Sequence, residues 1–452
     1  MTLISGERIR MIHMRNVSGL LALSALALLV GEHAHAQSAP PSVSDSTTMA
    51  VSAGRLLDVA RGKYRSNVVI LVRNGRITSI VPAKSFRRRG ERMVDLSRST
   101  VMPGLIDGHV HLALQGNRHE NAIATLTAGF TTIVDLGDVG FRVIQLRDSI
   151  TAGTAVGPRI LAAGRWVGAS GGICDFNKIG VVGDSTAYSV AVNQNIAAGA
   201  DVIKVCISKW LPDAYASPDA YELPDAAIRS VVKSAHTERR RVIAHDLSSG
   251  GVRAAVRAGV DGLAHGALVD RALAKEMKAK GMFLMPTLAS LTSGSPGSPA
   301  EMALAESVRI AKDAGVLIVF GTDAGVLPHG SNAQEFGALV RAGLSPLEVI
   351  RSATVNAAMA LGISAEAGTI AVGRPADLIA VDGDPLRDVT ILQRVRFVMR
   401  SGRIHVIGYH PSLGWNHPRL PHVVSVQVSV ASGHHRTSGR RAQGISRPVI
   451  SK

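Results

Sequence analysis

Between residues 200 and 325, short β-prone apolar runs alternate with stretches of helical periodicity. The same type of polar residue recurs where the runs close. Asp201-Val-Ile-Lys204-Val-Cys-Ile holds Lys204, and Arg241-Val-Ile-Ala-His245 ends on His245. Asp261-Gly-Leu-Ala-His265 ends on His265, and Leu317-Ile-Val-Phe-Gly-Thr-Asp323 ends on Asp323. Helical patterns fill the intervals at Pro224 to His236, Gly250 to Ala258, Arg271 to Lys280 and Ala300 to Ala314. Strands and helices in alternation mean βα units and a parallel sheet. The expected architecture is α/β, a (β/α)8 TIM barrel, whose functional residues gather at the C-terminal strand ends.

An earlier segment adds to this set. Val101-Met-Pro-Gly-Leu-Ile-Asp-Gly-His109-Val-His111 follows the β-prone Thr100, Val101 and Met102. Residues two apart on a strand face the same side, so His109 and His111 present two imidazoles to one point. Alone, this pair reads equally well as surface histidines, a single His as a packing residue and a single Asp as a helix N-cap. Six such residues at five strand ends favour a metal site. Lys204 has three donors and no acceptor, so the ammonium cannot bind a cation. Burial among Val202, Ile203, Val205 and Cys206 is expected to lower its pKa. The freed amine can capture carbon dioxide as a carbamate, whose two oxygens bridge two metals. The competing reading is a lysine reaching from the strand end to solvent.

These motifs resemble the amidohydrolase superfamily in its binuclear form with a carboxylated lysine. Pro103 to His111 looks like its opening metal motif. The resemblance implies His109 and His111 as strand-1 ligands, Lys204 as the bridging lysine, His245 and His265 as strand-5 and strand-6 ligands, and Asp323 as the strand-8 aspartate. Ser52 to Asp58 and Val69 to Ile77 look like the family's N-terminal β segments. Gly368 to Leu378 and Arg400 to Ile404 look like the returning ones. The implied organisation is a small β-sandwich domain built from both chain ends (50–100 and 365–408) beside a barrel at 101–364. Thr131 to Gly137, Pro328 to Glu335 and Ala353 to Ala358 resemble the imidazolonepropionase-like, Xaa-Pro-dipeptidase-type hydrolases. Imidazolonepropionase lacks the bridging lysine, so Lys204 argues against that activity.

The resemblance further implies two divalent ions, zinc foremost, sharing a hydroxide that attacks the substrate carbonyl. Asp323 is expected to take the attacking proton and pass it to the leaving amine. Tyr221 is a candidate substrate contact, with Tyr215 nearby and an ordinary packed tyrosine as the alternative; His329 is a second candidate. Two loops depart from the family. Gly171-Gly-Ile-Cys-Asp175 stands where members often carry Gly-Gly-His-Gly-Asp, and Ser208-Lys-Trp-Leu-Pro-Asp213 replaces a Gly-rich stretch. Both are expected to line the substrate pocket.

The 452 residues exceed a bare barrel of about 250, and 46% apolar residues support a large core. Arg8, Arg10 and Arg15, the apolar stretch Val17 to Val30 and Ala34-His35-Ala36 read as a signal peptide over 1–36, followed by a linker at 37–49. Export to the periplasm or medium is expected, with an uncleaved anchor as the alternative and no stable membrane span. Cys174 and Cys206 are able to pair in an exported protein, though two reduced buried thiols are the expectation. The net charge of +16 owes much to the end of the chain, where no acidic residue follows Asp388. Residues 409–452 read as a disordered basic tail with one alternating stretch at Val424 to Val430. No nucleic-acid partner is expected, and a homo-oligomer is possible.

The expected function is cleavage of an amide in a dipeptide or N-acyl amino acid, with release of the C-terminal residue. An esterase, lactonase or phosphotriesterase on the same centre, or a non-catalytic binding protein on the barrel, are the alternatives.

Overall fold

The computed structural model describes residues 48–210, 213–292 and 299–408. Residues 1–36, expected to be a signal peptide, most of the expected linker and the expected tail at 409–452 with Val424 to Val430 lie outside them.

Four strands come first: β1 (Met49–Asp58), β2 (Lys63–Arg73), β3 (Arg76–Pro82) and β4 (Arg92–Pro103). Eight shorter strands follow: β5 (Leu105–Val110), β6 (Phe130–Asp135), β7 (Arg159–Ala162), β8 (Val202–Cys206), β9 (Arg241–Asp246), β10 (Gly262–His265), β11 (Phe283–Met285) and β12 (Leu317–Ile318). The chain then returns through β13 (Leu378–Val381), β14 (Phe397–Arg400) and β15 (Arg403–Ile407).

Both chain ends build one seven-stranded sheet in the order β15-β14-β13-β4-β1-β2-β3. Among the described residues its pairing records one continuous sheet where a small β-sandwich was expected. Alternate residues such as Val51, Ile70, Val101, Leu378 and Phe397 form its own apolar core.

The run Thr100 to Met102 belongs to β4 of this sheet, so the strand that delivers the histidines is the separate β5. The two strands part at Gly104. A Cβ there would lie 2.1 Å from Thr131 Oγ1, so only glycine allows the crossing.

Strands β5 to β12 are all parallel, as β5-β6-β7 and β12-β11-β10-β9-β8. Backbone bonds join the two sheets at both edges. At one edge, Val167 N donates to Lys204 O (3.0 Å) and Cys206 N to Val167 O (2.9 Å). At the other, Gly108 N donates to Phe320 O (2.8 Å) and Asp323 N to His109 O (2.7 Å). The arrangement is of TIM-barrel type. Helices fall where the periodicity places them, at Asp225–Thr237, Ser249–Ala258, Arg271–Ala279 and Pro299–Asp313.

Ile106, Val134, Val202, Ile243, Ala264 and Phe283 form an inner cluster, while Ile203, Val205, Val242 and Ala244 pack with the helices. With a side-chain period of two, Lys204 and His245 share the inner side with Val202 and Ile243, one layer nearer the strand ends. Among the described residues no helix is long and apolar enough to cross a membrane.

Candidate metal centre

All six residues singled out in the sequence are buried: His109, His111, Lys204, His245, His265 and Asp323. The His109 and His111 Nε2 atoms lie 3.2 Å apart, and each is 3.3 Å from Asp323 Oδ1. His109, His265 and Asp323 each offer a donor atom, all within 4.8 Å of one another. His265 continues the group, with ring centroids 5.3 Å from His109 and 4.7 Å from His245.

Hydrogen bonds orient the rings. His111 Nδ1 lies 2.9 Å from the Gly137 carbonyl. A carbonyl only accepts, so Nδ1 carries the proton and the Nε2 lone pair faces the cluster. His265 Nδ1 lies 2.6 Å from Thr287 Oγ1, a hydroxyl able to donate or accept, which fixes the ring's orientation. His265, Thr287 and Asp323 all have left-handed backbones, with φ of 70°, 52° and 58°. For β-branched Thr287 this is a costly conformation that the surrounding structure must hold.

Electrostatics keep the donors in ligand form. Burial drives the His109 and His245 imidazoles well below their ordinary value and His265 to about 3, so all three stay neutral. Burial also lowers the Lys204 amine to about 7, against the opposing pull of Asp323. For Asp323, burial disfavours the charged form, but His109, His111 and His265 together hold its carboxyl well below the usual range.

The fit to metal ions rests on atoms without partners. Lys204 Nζ and His245 Nε2 are buried with no hydrogen bond. Buried polar groups are nearly always satisfied, so such orphans call for an unseen ligand. A carbamate on Lys204 and ions among the histidines would answer that need, and the N/O donor set suits zinc and its neighbours.

Several supporting residues escaped the sequence reading. Asp107 accepts from His109 N (3.1 Å), Thr322 N (3.1 Å), Thr322 Oγ1 (2.6 Å) and Asn332 Nδ2 (2.8 Å). It thereby ties the β5 end to the segment bearing Asp323. Asp107, Thr322 and Asn332 all lie in stretches noted in the sequence, but no spacing rule assigns them a role. Trp210 stacks on His245 (5.5 Å, 15°) and meets His265 edge-on (5.4 Å), while Trp166 lies 5.5 Å from His111.

The two candidate substrate contacts each have a bonding partner within the protein. Tyr221 donates its hydroxyl to Asp225 Oδ1 (2.7 Å). His329 bonds Thr125 Oγ1 (3.0 Å) and the His111 carbonyl (3.3 Å). Tyr215 buries its hydroxyl without a partner.

The two cysteines are joined: Cys174 and Cys206 form a disulfide across a Cα separation of 6.2 Å. This corrects the expectation of two reduced thiols. They are 32 residues apart in sequence, and the loop after β7 folds back onto the end of β8.

A model of the amidohydrolase family matches residues 100–405. Ochratoxinase of Aspergillus niger is 29% identical over 365 residues, covering 67% of this chain and 75% of that protein. Imidazolonepropionase of Symbiobacterium thermophilum is 24% identical, over 73% and 89% of the two chains. A solved Xaa-Pro dipeptidase with methionine in its active site superposes with a TM-score of 0.73 at 30% identity, over 79% of this chain and 99% of that one.

Proposed function

This chain belongs to the amidohydrolase family, and from that premise we propose that it is a metal-dependent hydrolase of dipeptides or N-acyl amino acids that releases the C-terminal residue. The observation that carries the reading is the buried group of four histidines, Asp323 and the unpartnered Lys204 at the barrel mouth. The substrate class draws support from the likeness to the Xaa-Pro dipeptidase and to ochratoxinase.

In this reading His109, His111 and Asp323 would hold one divalent ion, His245 and His265 would hold a second, and Lys204, once carboxylated, would supply oxygen ligands to the pair. The ions, zinc by preference, supply polarisation of the scissile carbonyl and activation of water. The protein does the rest. A Lys204 amine lowered to about 7 is about half free base at neutral pH, against almost none for an ordinary lysine. Its nitrogen lone pair bonds the carbon of carbon dioxide and sheds one proton to solvent, leaving the carbamate anion. The neutral imidazoles keep their lone pairs for binding. The Asp323 carboxylate, held ionised, accepts the proton of the attacking water and delivers it to the departing amine. The segment over 1–36 supports an exported location as part of the same proposal.

The test is an assay of the protein reconstituted with zinc and bicarbonate against dipeptides and N-acyl amino acids, beside Asp323→Asn. Amino-acid release that falls by about 10²–10⁴-fold in the variant supports the reading. Two bound metals with no amide cleaved would shift it to esters, lactones and phosphotriesters. Absence of both metal and cleavage would favour a binding protein.

A further inference from the structure

Aromatic residues make up only 4% of this chain, and three of them are tryptophans. Two of those tryptophans, Trp166 and Trp210, touch the histidines of the candidate centre. Trp210 is half-buried and lies over His245 and His265. Trp166 is buried against His111 and in turn meets Phe176 at a centroid distance of 4.9 Å. Phe176 is 44% exposed. A path of rings therefore runs from a buried ligand histidine to solvent. A second aromatic face, Trp210, lies against a different pair of the histidines, His245 and His265. Trp210 lies in one of the loops that depart from the family pattern, and Phe176 directly follows the other.

The Phe176 loop is tightly held. Cys174 is bonded to Cys206, two residues beyond Lys204 on β8. Asp175 accepts from Gly171 N (2.7 Å) and Gly180 N (2.6 Å), and Glu222 accepts from Ile173 N (2.9 Å). Gly168 leaves room for the bridge, since a Cβ there would sit 3.2 Å from Cys174 Cβ and 3.4 Å from Cys206 Cβ. Trp166, Cys174 and Cys206 form a small apolar cluster of their own, apart from the barrel core. An apolar wall fixed in advance avoids the entropic cost of ordering a loop around the substrate. A ring placed against it gains burial and ring contacts that a methyl group does not.

We propose that Trp166, Phe176 and Trp210 form a preformed apolar subsite selecting substrates with an aromatic or large apolar side chain beside the scissile bond, the Cys174–Cys206 bridge being the clamp that positions its outer wall. This specificity rests on the amide-hydrolase reading above.

The zinc-loaded protein is assayed with Ala-Phe, Phe-Ala and Ala-Ala, and with Phe176→Ala and the double variant Cys174→Ser/Cys206→Ser. One phenylalanine substrate should exceed Ala-Ala in kcat/KM by about ten-fold or more. Both variants should lower that ratio through KM and leave the kcat ratio in place. Phe176 is exposed, so its truncation leaves the fold intact. A readout independent of turnover is tryptophan fluorescence, which should respond to N-acetylphenylalanine at lower concentration than to N-acetylalanine. Hydrolysis of all three dipeptides at equal kcat/KM overturns the subsite alone, as does a preference that survives both changes. No hydrolysis of any of the three dipeptides rejects the dipeptidase form of the amide reading and leaves the subsite to a separate readout. The fluorescence titration then decides the subsite, and equal response to the two acetyl amino acids rejects it.

Discussion

His111 gives its Nδ1 proton to the Gly137 carbonyl at 2.9 Å, and the bare Cα of that glycine makes room for the indole that packs against the same histidine. Gly137 has φ of +112°, and a Cβ there would lie 2.8 Å from Trp166 Cδ1 and 2.9 Å from its Nε1. Gly137→Ala is expected to destabilise the protein by roughly 1–3 kcal/mol through backbone strain and displaced indole. It should also weaken zinc binding by moving the acceptor of His111. Urea unfolding and a competitive zinc titration check this; an unaltered zinc affinity would contradict the link between glycine and ligand.

Asp107 holds four donors on one buried carboxyl, from His109, Thr322 and Asn332. Asp107→Asn sets an amide NH2 against groups that all donate. The expected loss is about 3 kcal/mol of stability, with metal affinity down about 10–100-fold because the backbone of His109 loses its anchor. Chemical denaturation and metal titration of the variant test both. A variant of full stability would show that the four contacts are interchangeable with water.

Thr287 accepts a strained backbone to place Oγ1 2.6 Å from His265 Nδ1. Thr287→Val keeps the shape and removes the hydroxyl, and should cost about ten-fold or more in zinc affinity. Thr287→Ser restores the hydroxyl and should recover most of it. Equal affinity in the valine and serine variants would mean that the hydroxyl does not orient the ring.

Lys204 makes the metal-free protein sensitive to alkali in a defined direction. Its amine is held down to about 7 by burial, while the unfolded chain keeps the proton up to 10.5. Below about 7 both states bind the proton, and the folded state bears a buried charge. Between the two values the unfolded state binds more protons, so stability rises with pH. In metal-free and carbon-dioxide-free buffer, the gain from this group is on the order of 4–5 kcal/mol at most. Lys204→Met should lack it. Urea midpoints of both proteins compared across that pH range decide the matter; a constant difference between them would refute it.

Much of the centre was legible because strand periodicity acts locally. Lys204 and His245 face inward with Val202 and Ile243, a relation that the period of two makes readable from either run alone. The break at Gly104 was not legible. Thr100 to Met102 looks continuous with the histidine motif, and only the approach of Thr131 shows that the chain changes sheets there. Trp166 and Trp210 were illegible as site residues, because a lone tryptophan in a loop has no period. The bond from the Tyr221 hydroxyl to Asp225, four residues on, was likewise not legible in the sequence.

By itself, the sequence determined the order of strands and helices, the inward set of histidines, lysine and aspartate, and the family to which they correspond. These depend on alternation and spacing within a few residues. The tertiary structure alone decided the proton position on His111, the hydroxyl that orients His265, the partnerless state of Lys204, the Cys174–Cys206 bridge and the aromatic walls. Each of these needs two segments brought together across the barrel edge or between loops, as Asp107 and Asn332 are from 225 positions apart. Contacts at such separations follow from strand register and from the joining of the two sheets, which no local pattern encodes.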